Sequence, residues 1–334
     1  MAFGQDHITK EGAALNCLYV VIPCYNEQEV LPETARRLKN KLLTLTQKGI
    51  ISPESRVLLV DDGSQDETWT LIRTLHEVDT LFEGIKLSHN RGQQNAFLAG
   101  LKAASGKADC VITMDADLQD DIEAMDAMLT SYMNGSDIVF GVRSNRDTDS
   151  FFKRHSAQGY YKIMRRMGIE RVYNHADYRL MSRRALEALN EYTEVNLFLR
   201  GIVPELGFKT DVVYYKRAER FAGETKYPLK KMIALAVEGV TSFSVQPLKI
   251  ISRLGILLAF LSLAGLVYAL ISKISGSAVS GWTTIILSIW FLGGLQLLCI
   301  GVVGTYIGRI YSEVKARPRY IIEETTLQEE EKDV

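Results

Sequence analysis

Leu18-Tyr-Val-Val-Ile22 runs into Pro23-Cys-Tyr-Asn26, and Arg56-Val-Leu-Leu-Val60 runs into Asp61-Asp-Gly-Ser64. Each is a short apolar run, rich in β-branched residues, that ends in a turn-forming cluster. Between them, residues 33–47 carry Ala35, Leu38, Leu42 and Leu45 at helical spacing. Strand, helix, strand at this separation predicts a βα unit of a parallel sheet. The same reading predicts helices over 68–76 and 93–104 and strands over 84–87, 110–114 and 137–141. In an open parallel sheet, ligands bind beyond the carboxyl ends of the strands. Acidic clusters fall at those ends here. The turn after Ile22 is Pro-Cys-Tyr-Asn-Glu rather than GxGxxG, and GxxxxGK[ST] is absent. Nicotinamide or flavin dinucleotide binding and P-loop chemistry therefore lose their main support.

Met114-Asp-Ala-Asp-Leu-Gln-Asp-Asp121 follows the apolar Val111-Ile-Thr113. Asp115 and Asp117 thus fall at a strand's carboxyl end, with the amide of Gln119 two residues on. Two carboxylates at i, i+2 and an amide oxygen suit Mg²⁺ or Mn²⁺, which commonly bridges carboxylates to a substrate's phosphates. This points to chemistry on a diphosphate. Helix capping is the competing reading, but two adjacent carboxylates repel without a cation. For Asp61 and Asp62 a turn or cap role competes with ligand binding.

The chain has 334 residues and a net charge of −1, so no basic field argues for nucleic acid. The four cysteines, Cys17, Cys24, Cys110 and Cys299, show no CxxC spacing and read as buried thiols. Residues 1–16 lack a basic segment followed by an apolar one, which places the polar part in the cytoplasm. Residues 254–271 and 282–307 are two nearly unbroken apolar stretches. Each is long enough to cross a hydrocarbon layer of ~30 Å. Lys226, Lys230, Lys231, Lys249 and Arg253 precede the pair, and Arg309, Lys315, Arg317 and Arg319 follow it. That bias predicts a hairpin with both ends in the cytoplasm. A buried helical pair in a soluble core is the alternative. The charged end, 323–334, reads as frayed.

The motifs can now be taken together: Val21-Ile-Pro-Cys-Tyr-Asn-Glu27, Val60-Asp-Asp-Gly-Ser-Gln-Asp66, Asn90-Arg-Gly-Gln-Gln94 and Asp115-Ala-Asp-Leu-Gln-Asp120. Then follow Gly141-Val-Arg143, Asp177-Tyr-Arg-Leu-Met-Ser182 and Arg220-Phe-Ala-Gly-Glu-Thr-Lys-Tyr227. In this order, ahead of an apolar hairpin, they resemble the family 2, GT-A type inverting glycosyltransferases. The likeness is greatest to the polyprenyl-phosphate branch, with its dolichol-phosphate mannose synthases and bacterial undecaprenyl-phosphate (bactoprenol) glucosyltransferases.

The resemblance implies an α/β fold, a GT-A Rossmann-like mixed, mainly parallel sheet flanked by helices. A cytoplasmic catalytic domain would span 1–225 and a juxtamembrane amphipathic helix 226–250. Two transmembrane helices would fill 251–308 (about 252–272 and 282–307), and a cytoplasmic tail 309–334. The protein would be a multi-pass membrane protein, its catalytic domain and termini in the cytoplasm. The aromatic and basic mixture from Phe151 to Arg166 would lie at the interface.

By the same resemblance, Pro23, Tyr25, Glu27, Val60, Asp61, Asp62 and Ala116 bind the nucleotide sugar. Arg220 and Lys226 clamp its diphosphate, although a juxtamembrane basic cluster is a competing reading for that pair. Asp115, Asp117 and Gln119 hold Mg²⁺ or Mn²⁺. Asp117, Arg143, Arg154 and Asp177 form the catalytic set, with the two arginines on the acceptor lipid phosphate, a solvated basic face being the competing reading for Arg154, and Asp177 orienting those arginines or the sugar. The implied reaction is inverting transfer of glucose or N-acetylglucosamine from a UDP-sugar to polyprenyl (undecaprenyl) phosphate. A GDP-mannose-dependent mannosyltransferase is the alternative enzyme, and a membrane-tethered sugar-nucleotide sensor or inactive scaffold the alternative outside catalysis. A phosphate acceptor is largely a dianion at neutral pH, its second pKa being about 6, so no general base is required. The lipid-linked sugar would need a flippase and a downstream glycosyltransferase for cell-envelope glycosylation. Gly301, Gly304 and Gly308 offer helix-packing spacing for a homo-oligomer. Glu205 replaces an aromatic residue, and Gln93 and Gln94 a basic one, common in the family; both bear on sugar choice.

Overall fold

A computed structural model describes residues 15–144, 175–195, 197–216, 246–274 and 281–327. The elements run β1 (Leu18–Cys24), α1 (Leu31–Gln47), β2 (Arg56–Asp61), α2 (Thr68–Val78), β3 (Phe82–Leu87), α3 (Gln93–Ala104), β4 (Cys110–Thr113), α4 (Ala124–Met133) and β5 (Ile138–Arg143). They continue β6 (His175–Ser182), α5 (Arg183–Asn190), α6 (Leu199–Glu205), β7 (Thr210–Tyr215), α7 (Gln246–Ile274), α8 (Trp282–Lys315) and β8 (Ile322–Thr325). Every strand and helix expected up to residue 141 is present.

One sheet in the order β7-β5-β6-β4-β1-β2-β3-β8 organises these elements. β1 pairs in parallel with β2 and β4, β2 with β3, and β5 with β7. β6 runs against both β4 and β5, and β8 against β3. The sheet is therefore α/β, mixed and mainly parallel, as expected. Its central strand, β1, is buried along its whole length, the usual state of a parallel strand covered on both faces.

Alternate residues of β1 and β2 serve two cores. Val20, Ile22, Val57 and Leu59 pack with Leu38, Leu42 and Leu45 of α1 and Met125 and Met128 of α4. Val21, Leu58 and Val60 pack instead with Phe97 and Leu101 of α3 and with Ala185 and Leu189 of α5. α3 lies close to the sheet because Gly100 faces it. A Cβ there would come within 2.4 Å of Val21 Cγ1 and 2.9 Å of Val60 Cγ2.

The charged C-terminus departs from expectation. Residues 322–325 are not frayed but add β8 to the β3 edge, with Ile85 opposite Thr325 and Lys86 opposite Glu324. The reason is tertiary: the unpaired edge of β3 offers amide and carbonyl groups, and Glu323 and Glu324 both reach Lys86 Nζ at 3.4 Å. Trp69 Nε1 also donates to Glu324 at 3.1 Å. Farther back, Val195 N donates to the Glu313 carboxylate at 2.7 Å, and Arg319 Nη2 to Tyr192 O at 2.7 Å.

α7 and α8 occupy the two apolar stretches and lie side by side, Ile251, Leu254 and Leu258 across a cleft from Leu292, Leu295 and Cys299. Among the described residues, one helical stretch, Phe291–Lys315, meets the length and composition needed to cross a membrane. The interfacial segment around 151–166 and residues 226–245 of the expected juxtamembrane helix lie outside the described residues, and 246–250 form the start of α7. All four cysteines are free, with Cys24 and Cys110 buried as expected and Cys17 and Cys299 half-buried.

Candidate active site

The carboxyl ends of β1, β2, β4 and β5 converge on one edge of the sheet. The turns after β1 and β2 are laced together. Asn26 N donates to Ser64 Oγ at 3.0 Å, Gln65 N to Asn26 Oδ1 at 2.9 Å, and Glu27 N to Thr68 Oγ1 at 2.9 Å. Asn26 takes a left-handed backbone (φ 55°) to do so, which asparagine tolerates better than most residues. Gly63 is also left-handed (φ 68°), and a Cβ there would lie 2.5 Å from the carbonyl carbon of His89.

Of the expected nucleotide-binding set, Tyr25 is exposed and Glu27 half-exposed, whereas Pro23, Val60 and Ala116 are buried. Val60 faces the α3 core, so its backbone is what could reach a ligand. Asp61 is buried, which raises its carboxyl pKa, although its oxygens accept from Ser64 N at 3.3 and 3.4 Å. Asp62 is raised by burial too, against the amides of Arg91 and Gly92, which donate to its two oxygens at 2.7 and 2.9 Å. Asp62 thereby fixes the loop that opens α3.

The loop after β4 carries the paired carboxylates. Leu118 adopts φ 58°, strained for a leucine, and Gln119 N folds back to Asp117 Oδ1 at 3.1 Å. Gln93 Nε2 donates to Asp115 Oδ1 at 2.5 Å. The antiparallel β6 places Thr113 opposite Arg179, and extending that register by two residues sets Asp177 beside Asp115. Burial, with the carboxylates of Asp120, Asp177 and Asp117, pushes Asp115 up to about 7, and Arg143 opposes that rise.

Asp177 goes the other way. Burial would raise it, but Arg200, Arg179 and Arg143 hold it below the usual carboxylate range. Arg200 Nε and Nη2 reach Asp177 Oδ1 and Oδ2 at 3.0 and 2.7 Å, and Arg179 Nη2 reaches Oδ1 at 3.3 Å. Gln94 Oε1 accepts from Leu199 N at 3.0 Å, steadying the turn that presents Arg200. Arg143, at the end of β5, leans on Asp120 and Tyr215. Asp115, Asp117, Arg143 and Asp177 therefore share one cluster; Arg154, Arg220 and Lys226 lie outside the described residues.

Asp120, Arg179, Arg200, Tyr215 and Gln93 were not among the expected site residues. Asp120, Arg179 and Gln93 fall inside the sequence motifs, a signal that could have found them. Tyr215 and Arg200 reach the cluster only through tertiary pairing, and the sequence carries no local sign of it.

The model of the glycosyl transferase family 2 matches residues 19–189, spanning β1 to α5. The chain is a family 2 glycosyltransferase. Relatives extend the match beyond that core. The uncharacterized glycosyltransferase YkoT of Bacillus subtilis (strain 168) is 50% identical over 306 residues, 92% of this chain and 91% of its own length. The prophage bactoprenol glucosyl transferase homolog of Escherichia coli (strain K12) is 39% identical over 308 residues, 91% of this chain and 97% of that protein. The bactoprenol glucosyl transferase of Shigella phage SfV is 39% identical over 309 residues, with the same coverages. This family 2 glycosyltransferase is thus homologous to bactoprenol glucosyl transferases over almost its full length. Among solved structures, mannosyl-3-phosphoglycerate synthase from Rubrobacter xylanophilus aligns at 12% identity with a TM-score of 0.45, covering 79% of this chain and 77% of that one. That likeness is too loose to bear on function.

Proposed function

We propose that the protein transfers glucose from a UDP-sugar to polyprenyl (undecaprenyl) phosphate at the cytoplasmic membrane face, with inversion at the anomeric carbon. N-acetylglucosamine is the second donor sugar to test. The observation that carries this reading is the single cluster joining Asp115 and Asp117 to Arg143. A cation-suited carboxylate pair stands beside a guanidinium suited to phosphate, so two anionic substrates can meet there. The E. coli and phage relatives, bactoprenol glucosyl transferases by name, support glucose and the bactoprenol acceptor.

The donor set suits Mg²⁺ or Mn²⁺. Among the described residues no group of three or more His, Cys, Asp or Glu is placed to hold a metal by itself. A cation held by Asp115, Asp117 and Gln119 would take its further oxygens from substrate phosphates. Bound by Asp115, Asp117 and Gln119, the cation would neutralise charge on the departing diphosphate. The nucleotide would rest on the laced turns carrying Pro23, Tyr25, Glu27, Val60, Asp61, Asp62 and Ala116, with Arg220 and Lys226 on its phosphates. Arg143 and Arg154 would take the lipid phosphate, and Asp177 would orient Arg200 and the sugar. Positioning and preorganised charge carry the reaction.

The membrane reading gains from β8. It belongs to the same sheet as β1, so the chain between Lys216 and Ile321 leaves and returns on one side. Any crossings must be even in number. α8 paired with α7, whose residues 254–271 carry no charge, meets that requirement and fits two spans within 251–308, behind a cytoplasmic domain of 1–225 that β8 completes.

The deciding experiment incubates the full chain in detergent with short-chain polyprenyl phosphate, Mg²⁺ or Mn²⁺, and labelled UDP-glucose, UDP-N-acetylglucosamine or GDP-mannose. Label should enter lipid from UDP-glucose and vanish with chelator or with Asp117→Ala. Transfer from GDP-mannose alone would make the mannosyltransferase the right enzyme. Tight nucleotide binding without turnover of any donor would make the protein a sensor.

A further inference from the structure

Arg143 and Tyr215 are register partners at the carboxyl ends of the parallel strands β5 and β7. Arg143 Nε donates to Tyr215 Oη at 3.2 Å, and that hydroxyl donates to Asp120 Oδ1 at 2.5 Å. Arg143 Nη2 approaches the same oxygen at 3.4 Å. The three side chains form a closed triangle, in which the Tyr215 hydroxyl accepts one hydrogen bond and donates the other.

Burial divides the triangle. The Asp120 side chain is 1% exposed and that of Arg143 30%. Tyr215 is buried, and its ring meets Tyr178 edge-on at 5.3 Å and 88°. Tyr178 is pinned in turn by its hydroxyl on Asp121 O at 2.9 Å. The Nε–Nη2 edge of Arg143 is thus engaged from below by an immobilised anion and phenol. Nη1 has no hydrogen-bond partner among the described residues. A guanidinium is planar, so fixing one edge fixes the direction of the other. Asp120 directly follows Gln119, so the loop bearing Asp115 and Asp117 also anchors Arg143. A buried carboxylate needs a charged partner, and here that partner is a half-exposed arginine at the site's rim.

We propose that Asp120 and Tyr215 are positioning residues, aiming Arg143 at the acceptor's phosphate and tying its orientation to the carboxylate loop. The proposal rests on Arg143 being the lipid-phosphate binder. It adds that the binder's geometry is set by two residues that never touch substrate.

The test uses the full chain in detergent with whichever donor turns over in the screen above. Tyr215→Phe removes the hydroxyl and keeps the ring that packs on Tyr178. The expected result is a fall in kcat/KM for the lipid phosphate of about tenfold to a hundredfold, the scale of a misplaced binding group. The donor's KM should be unchanged. Asp120→Asn should give the same split. In an Arg143→Ala background Tyr215→Phe should cost nothing more, because residues acting as one unit are not additive. Equal losses toward donor and acceptor, or additive losses in the double variant, would overturn the proposal, as would full activity of Tyr215→Phe. If Tyr215→Phe unfolds, judged by its thermal midpoint, Asp120→Asn carries the same comparison. Arg143→Ala with an unchanged acceptor KM would remove the underlying reading and this one together. A raised acceptor KM in Arg143→Ala but not in Tyr215→Phe removes this one alone.

Discussion

Arg200 grips Asp177 through both carboxylate oxygens, at 3.0 and 2.7 Å, across 23 residues of chain. The pair brings the start of α6 to the amino end of β6, and it keeps a buried carboxylate ionised. Arg200→Ala would leave Asp177 with the longer bond to Arg179. Because the folded-state pKa of Asp177 is depressed, its stabilisation is present above the unfolded value of about 3.9 and fades as pH falls through the folded value. The variant should lose this contribution and unfold at a higher pH on acidification. Thermal midpoints between about pH 3 and 7 would show it, and an unchanged acid limb would mean that Arg200 does not stabilise the anion.

Asp115 predicts the opposite slope for the cation-free protein. Its folded-state pKa, raised to about 7, means the native state binds the extra proton between the unfolded value of about 3.9 and 7. Stability of the cation-free chain should decline as pH rises through that window. Mg²⁺ or Mn²⁺ should reverse the decline and release a proton on binding near neutral pH. Calorimetry in buffers of different ionisation enthalpy measures that proton, and its absence would detach Asp115 from the cation.

Gly100→Ala should be among the more damaging single-methyl additions in this chain. The new Cβ would press on Val21 and Val60, side chains of two buried strands. Overpacking of this kind costs about 1–3 kcal/mol. A drop of that size in denaturant unfolding is expected, whereas a neutral result would mean that α3 can lift from the sheet.

Glu324 and the strand that carries it can be separated experimentally. Its contacts with Lys86 and Trp69 are solvent-exposed, so Glu324→Ala should leave the thermal midpoint nearly unchanged. Truncation after Ile321 removes the whole β8 ladder and bares the β3 edge. That variant should show a clearly lower thermal midpoint and a tendency to associate. Equal midpoints for the two variants would reduce β8 to a side-chain contact.

Much of this was legible in the sequence because the information is local. β1, α1 and β2 announce themselves through apolar period and turn chemistry, and α3 falls on the expected residues, Gln93–Ala104. The carboxylate loop is readable for the same reason: Asp115 and Asp117 are neighbours in the chain as well as in space. β6, β7 and β8 are different. The motif containing Asp177 and Arg179 carries no alternation that marks a strand, and its antiparallel entry between β4 and β5 is a tertiary event. β8 is acidic and short, a composition that suits a solvated tail equally well. Its pairing depends on an edge formed more than two hundred residues earlier. The link between Tyr215 and Asp120 spans 95 positions, and a lone tyrosine gives no hint of it.

The placement of β8 imposes a schedule on biosynthesis. The ribosome makes β3 early and its edge partner more than two hundred residues later, after both apolar helices have been synthesised. Between those moments the nascent protein carries an unsealed sheet margin along β3. Completion of the sheet therefore waits on the two apolar helices, and a chain stalled before residue 322 carries both of them beside an unfinished sheet.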